Sequence, residues 1–100
     1  MARVLWDREA KEDLRELALF IGTERHSPRA ACTLIDSIVA KCDLYGAQPH
    51  LGETRPDLGP DLRVFRAGNY VVVYLPLEDG IHVLRVFDAR RDYPRLFRME

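Results

Sequence analysis

The stretch from Leu62 to Asp92, LRVFRAGNYVVVYLPLEDGIHVLRVFDARRD, leaves this chain few folds to choose from. Leu62–Arg66, Tyr70–Leu75 and Ile81–Phe87 each read as a short strand, joined by turns at Ala67-Gly68-Asn69 and Asp79-Gly80. Gly-Asn and Asp-Gly supply the positive φ angles that tight hairpins use. Tyr70, Val71, Val72, Val73 and Tyr74 are β-branched or aromatic and suit a pleated, packed surface. A three-stranded antiparallel meander is the expectation.

Such a sheet needs a cover, and the first half of the chain offers one. Arg3–Trp6 is a strand candidate that must pair with the meander to be buried. Asp7 fits an N-cap, with Glu9, Glu12 and Asp13 placing negative charge in the first helical turns. Ala10, Leu14, Leu17, Ala18 and Ile21 recur at spacings of three and four, the stripe of an amphipathic helix ending at Gly22. Ser27-Pro28 opens a second helix with inward face Ala31, Leu34, Ile35, Ile38, Cys42 and Tyr45, stopped by Gly46 and Pro49. Residues 46–61, GAQPHLGETRPDLGPD, are turn-rich and aperiodic, a connecting loop, and Ala89–Glu100 reads as a short tail. The expected architecture is α+β, in the order β-α-α-β-β-β, with a helical hairpin on one face of a small antiparallel sheet. The other sheet face and the tail are left free for function, and residues 1–100 form a single domain.

Composition excludes several classes. No apolar run approaches the roughly 20 residues of a membrane span, and the N-terminus lacks the apolar core of a signal peptide, so the expected location is cytoplasmic. Cys32 and Cys42 fall on one helix about 15 Å apart, beyond the reach of about 7 Å for a disulfide, and are expected as reduced core residues. His26, His50 and His82 lie on different elements, and no Cys-x-x-Cys or His-Glu-x-x-His spacing occurs, so no metal and no cofactor are expected. Ser27 and Ser37 sit at a helix cap and within a helix, away from any histidine base.

One charge cluster remains. Residues 1–61 carry a balance of −3 and residues 62–100 a balance of +2, and all seven basic residues of the second part are arginine. Arginine is suited to bidentate contacts with carboxylate or phosphate. These are Arg63, Arg66, Arg85, Arg90, Arg91, Arg95 and Arg98. With Leu84 and Val86 against the helices, strand alternation points Arg85 outward, beside Arg63. The plain alternative for any one of them is a solvated face paired with Asp88 or Asp92. As a group they point to an acidic partner, while a net charge of −1 argues against a dedicated nucleic-acid binder.

Several segments together carry a family resemblance: Val4–Ile21, Pro49-His50-Leu51-Gly52, Leu62-Arg63, Asn69–Tyr74, and Leu84-Arg85-Val86 followed by Ala89-Arg90-Arg91-Asp92. From Val4 to Phe97 the chain resembles the ParE branch of the ParE/RelE toxin superfamily. The resemblance implies the same hairpin-on-sheet fold and a plasmid-stabilisation type of role as a type II toxin. It also implies a cognate ParD-like antitoxin that covers the hairpin and adds to the sheet surface in a toxin–antitoxin hetero-oligomer. Residues expected under that antitoxin are Leu14, Leu17, Ile21, Leu34, Ile38, Tyr70 and Tyr74.

The resemblance offers two mechanisms. ParE-like toxins inhibit DNA gyrase without a catalytic site; the expected target contacts are Arg63, Arg85, Arg90, Arg91, Asp92, Arg95 and Arg98. RelE-like toxins cut mRNA on the ribosome, which here would rest on Arg63 and Arg85 as phosphate cations and Tyr74 for proton transfer. In that branch an arginine commonly follows the middle-strand tyrosine, whereas Val71 follows Tyr70 here, and only Lys11 and Lys41 supply lysine. The gyrase reading is therefore preferred. Asp88 stands where the family usually has histidine, and Arg91 is an extra residue in the final run. That departure leaves a third reading, an attenuated toxin acting mainly as antitoxin partner and co-repressor.

Overall fold

In the computed structural model residues 2–24 and 26–99 are described; Met1, Arg25 and the tail's last residue, Glu100, lie outside them. The chain runs β1 (Arg3–Trp6), α1 (Arg8–Leu19), a π-helical turn (Phe20–Glu24), α2 (Pro28–Ala47), β2 (Glu53–Thr54), β3 (Arg63–Ala67), β4 (Tyr70–Leu77), β5 (Gly80–Asp88) and α3 (Tyr93–Arg98). The α+β class and the β-α-α-β-β-β core order are as the sequence implies.

The sheet has five strands in the order β1-β5-β4-β3-β2. The meander β3-β4-β5 is antiparallel, as expected, but β1 lies parallel to β5, with Arg3 opposite Gly80 and Trp6 opposite Val83. A strand followed by a two-helix crossover returns to its sheet in this way, so the sheet is mixed. Gly80 has a different reason from the one its Asp-Gly context suggests. A positive φ occurs at Gly68 (61°) but not at Gly80. At Gly80 a Cβ would sit 1.7 Å from the Arg3 carbonyl oxygen, so the glycine lets β1 pack against β5.

Asp7 caps α1 by accepting from the Glu9 N–H, and Ser27 caps α2 by accepting from the Ala30 N–H. α1 does not stop at Gly22. Its last turn widens into a π turn that buries Ile21 and leaves Leu19 and Phe20 exposed. Gly46 likewise belongs to α2, where a Cβ would meet Val4 Cγ2 at 2.9 Å, so it marks the helix–strand crossing rather than a stop.

Two cores flank the sheet. Against the hairpin, Phe65, Ala67, Val72, Tyr74, Ile81, Val83 and Val86 pack on Ala10, Ile38 and Cys42. On the opposite face, Val64, Val71, Val73 and Phe87 pack beneath Leu58, Leu62, Tyr93, Leu96 and Phe97. That second face is therefore not free: the 46–61 loop and α3 cover it. Asp92-Tyr93-Pro94 starts a helix where the sequence suggests a tail; six residues are too few to display a helical period. The cysteines also part company, with Cys42 buried and Cys32 exposed.

Candidate functional site

Three of the expected site residues are occupied in holding the fold. Tyr74 is fully buried, and its hydroxyl accepts from the Gly52 N–H (3.0 Å) while donating to the Pro49 carbonyl (2.8 Å). Burial raises its pKa above the ordinary phenol value. Arg63, directly across from Tyr74 on β3, donates from Nη1 to the carbonyls of His50 (2.9 Å) and Gly52 (2.8 Å). A Cβ at Gly52 would lie 2.3 Å from the Tyr74 hydroxyl. The Pro49–Gly52 motif, Arg63 and Tyr74 are thus one clasp that fastens the long loop to the sheet.

Arg85 does not point outward beside Arg63; β4 lies between the two strands. The register passes from Val73 opposite Arg85 to Tyr74 opposite Val83, so Leu84 is the extra residue of a bulge. The bulge resets alternation: Leu84 joins the α3-side core, Val86 the hairpin-side core, and Arg85 is redirected along the strand's edge. There its Nε and Nη2 bind both carboxylate oxygens of Asp13 at 2.8 and 3.0 Å. Its guanidinium also lies 3.4 Å from Glu9 and 4.6 Å from the centre of the Phe87 ring. Asp13 Oδ2 additionally accepts the Val86 N–H at 2.8 Å, capping β5 where β1 has ended. The hydrogen bond to Asp13, foremost, holds Arg85 protonated.

Of the cluster's remaining arginines, Arg66 on β3 donates to the Gly68 carbonyl, and the others lie just past the end of β5 and on α3. Asp88 accepts three hydrogen bonds from Arg90: the backbone N–H at 2.9 Å, Nε at 3.1 Å and Nη2 at 2.9 Å. The side-chain bond from Arg90 is the chief reason the Asp88 carboxyl is drawn down to about 2. Arg91, Asp92, Arg95 and Arg98 are exposed, while Tyr93, Leu96 and Phe97 turn toward the sheet. Among the described residues, Arg91, Arg95 and Arg98 make no side-chain hydrogen bond or ion pair.

Of the residues expected beneath an antitoxin, Ile38 and Tyr74 are fully buried and Ile21 nearly so, placing them under the surface rather than on it. Leu14, Leu17, Leu34 and Tyr70 are half-buried. The exposed large apolar groups of the hairpin are instead Leu19 (59%) and Phe20 (51%), where α1 runs into the π turn, and Val39 and Leu44 on α2. Leu17, Phe20 and Tyr70 line a cleft of about 600 Å³ together with Arg85, Asp88, Arg90, Arg91 and Leu96. The apolar hairpin and the basic end of β5 therefore meet at one place.

Sequence reasoning missed Arg55. Its Nε and Nη2 grip Asp57 at 2.9 and 2.8 Å, its Nη1 donates to the Tyr93 hydroxyl, and its guanidinium lies 5.4 Å from that ring's centre. It joins the loop to α3. The local Arg-Pro-Asp was the available signal, but its aromatic partner lies 38 positions away. Among the described residues no group of three or more His, Cys, Asp or Glu is placed to hold a metal, and no helix is long and apolar enough to cross a membrane.

The fold and these contacts can be set beside known proteins. A solved structure described as the chromosomal ParDE TA system from P. aeruginosa shares the fold at a TM-score of 0.70. It is 19% identical in sequence and aligned over 90% of this chain and 98% of that one. No curated protein sequence matches. The family model described as the ParE toxin of the type II toxin–antitoxin system parDE matches residues 4–93. With that match spanning nearly the whole sequence, the chain belongs to the ParE toxin family of type II toxin–antitoxin systems.

Proposed function

We propose that this protein is a single-domain, cytoplasmic ParE-like toxin that inhibits DNA gyrase by binding it, and that a cognate ParD-like antitoxin neutralises it by direct contact. One observation carries the preference over RNA cleavage. Arg63, Tyr74 and Arg85, the groups a ribonuclease would use, are each tied to intramolecular partners, whereas Arg91, Arg95 and Arg98 stand exposed. A buried tyrosine whose hydroxyl already has a donor and an acceptor is poorly placed to shuttle a proton for substrate. An exposed arginine face suits an acidic protein surface. The antitoxin reading rests on the apolar groups Leu19 and Phe20 and the cleft beside them.

The test pairs two reactions with antitoxin-free protein. Loss of supercoiling with accumulation of cleaved DNA is the expected result, with transcripts intact in a parallel translation reaction. Untouched gyrase with codon-specific mRNA cleavage would return the ribonuclease reading. The attenuated-toxin reading has its own support in the Asp88–Arg90 pairing, and harmless expression without antitoxin would favour it.

A further inference from the structure

The basic end of β5 carries its own counter-ion. Arg90 and Arg91 are adjacent and exposed, yet they differ in what they offer a partner. Arg90 is turned back onto Asp88 through two guanidinium bonds, each to a different carboxylate oxygen. Asp88 is fixed in turn: it ends β5, its side chain is 24% exposed, and its Oδ1 also takes the Arg90 backbone N–H. Its carbonyl accepts the Arg91 N–H, so this turn also sets the direction in which Arg91 and α3 leave the sheet. The carboxylate of Asp88 thus occupies Arg90 in the manner of a partner's carboxylate.

We propose that Asp88 is a built-in competitor that withholds Arg90 from an acidic protein partner, leaving Arg91, Arg95 and Arg98 as the cations actually presented. The inference rests on the reading that the target is engaged through these arginines. It identifies Asp88 as the positioning residue that sets how many of them take part. An acidic partner is the fitting occupant because the free cations here are all arginines, and arginine binds carboxylates bidentately. It must compete with a pair that is already made, so Asp88 lowers affinity without removing any arginine.

The test counts cations. Binding of the full chain to a short non-specific DNA duplex, used only as a uniform polyanion, is followed against salt. The slope of log affinity on log salt changes by about 0.9 for each cation engaged. Asp88→Asn retains an oxygen for the Arg90 N–H but loses its hold on the guanidinium, so the turn is kept and thermal melting confirms the fold. The expected results are a slope steeper by about 0.9 in D88N, no change for Arg90→Gln in the wild-type background, and a fall of about 0.9 for Arg90→Gln in the D88N background. A fall of that size for Arg90→Gln in the wild-type background overturns the proposal, because Arg90 would then be engaged despite Asp88. The same variants are assayed for gyrase inhibition. If the slopes behave as expected while gyrase potency is indifferent to Asp88, the latch stands and the gyrase contact through these arginines falls.

Discussion

At the scale of single residues, Tyr74, Gly52 and Arg63 act as fastenings between a loop and the sheet. Tyr74 and Gly52 show why. A hydroxyl on a fully buried strand residue must find partners, and it finds them in a loop 22 to 25 positions upstream. Tyr74→Phe leaves the Gly52 N–H without its acceptor and should cost about 1–3 kcal/mol in chemical denaturation. A loss below that range would mean the clasp contributes little. The cysteines make a second case. Burial pushes the Cys42 thiol up to about 12, while Cys32 lies on the exposed side of the same helix. One thiol per chain should therefore react quickly with a disulfide reagent at mildly alkaline pH, and the second only on unfolding. Asp88 adds a pH signature. Its folded value lies below the ordinary carboxylate range, so the ionised form favours the fold. That contribution is complete above about pH 4 and disappears as the pH falls through about 2. The difference in Tm between wild type and D88N should accordingly be constant above about pH 4 and close toward pH 2. A gap that persists at pH 2 would place the effect of the substitution elsewhere.

At the scale of elements, what was legible in the sequence was whatever repeats at a regular period. The helical stripes, the Asp7 and Ser27 caps and the three strands of the meander follow from local patterning and turn chemistry. The π turn, the bulge at Leu84 and the six-residue α3 do not, because each breaks a period or is too short to show one. The bulge matters most for function: by slipping one residue it carries Arg85 from an apparent binding face to a pairing with Asp13. In the sequence Asp13 reads only as negative charge in the first helical turns, yet it holds Arg85 and caps the Val86 N–H, with both side chains largely buried (13% and 16% exposed). Asp13→Ala should cost about 3 kcal/mol, at the upper end for hydrogen bonds to a charged group. Glu12→Ala, one position away at an exposed pair with Arg15, should cost under about 1 kcal/mol. Equal losses at the two sites would show that the edge clamp is no stronger than a surface pair.

At the scale of the whole molecule, the second sheet face decides how α3 is to be understood. Six residues cannot hold a helix by local bonds alone, so α3 exists because Tyr93, Leu96 and Phe97 have Phe87 and its neighbours to pack on. Arg55 then fixes the arrangement from the loop side. The arginines of this helix therefore ride on a structural lid, and deleting it removes two things together. A chain ending at Asp92 should bind an apolar dye, show a lower Tm and retain much of its helical signal, because the hairpin-side core around Ile38, Val72 and Ile81 does not depend on α3. Under the proposed function it should also lose gyrase inhibition, but that loss alone says nothing about charge. Arg95→Gln with Arg98→Gln in the full chain separates the two roles. Both side chains are exposed and, among the described residues, unpaired, so Tm should stay nearly unchanged. If α3 presents cations to an acidic surface, inhibition should fall several-fold and become less sensitive to salt. If inhibition survives the double substitution and is lost only on truncation, α3 serves the target as an apolar lid, and the contact must be sought at Arg90, Arg91 and the cleft they line.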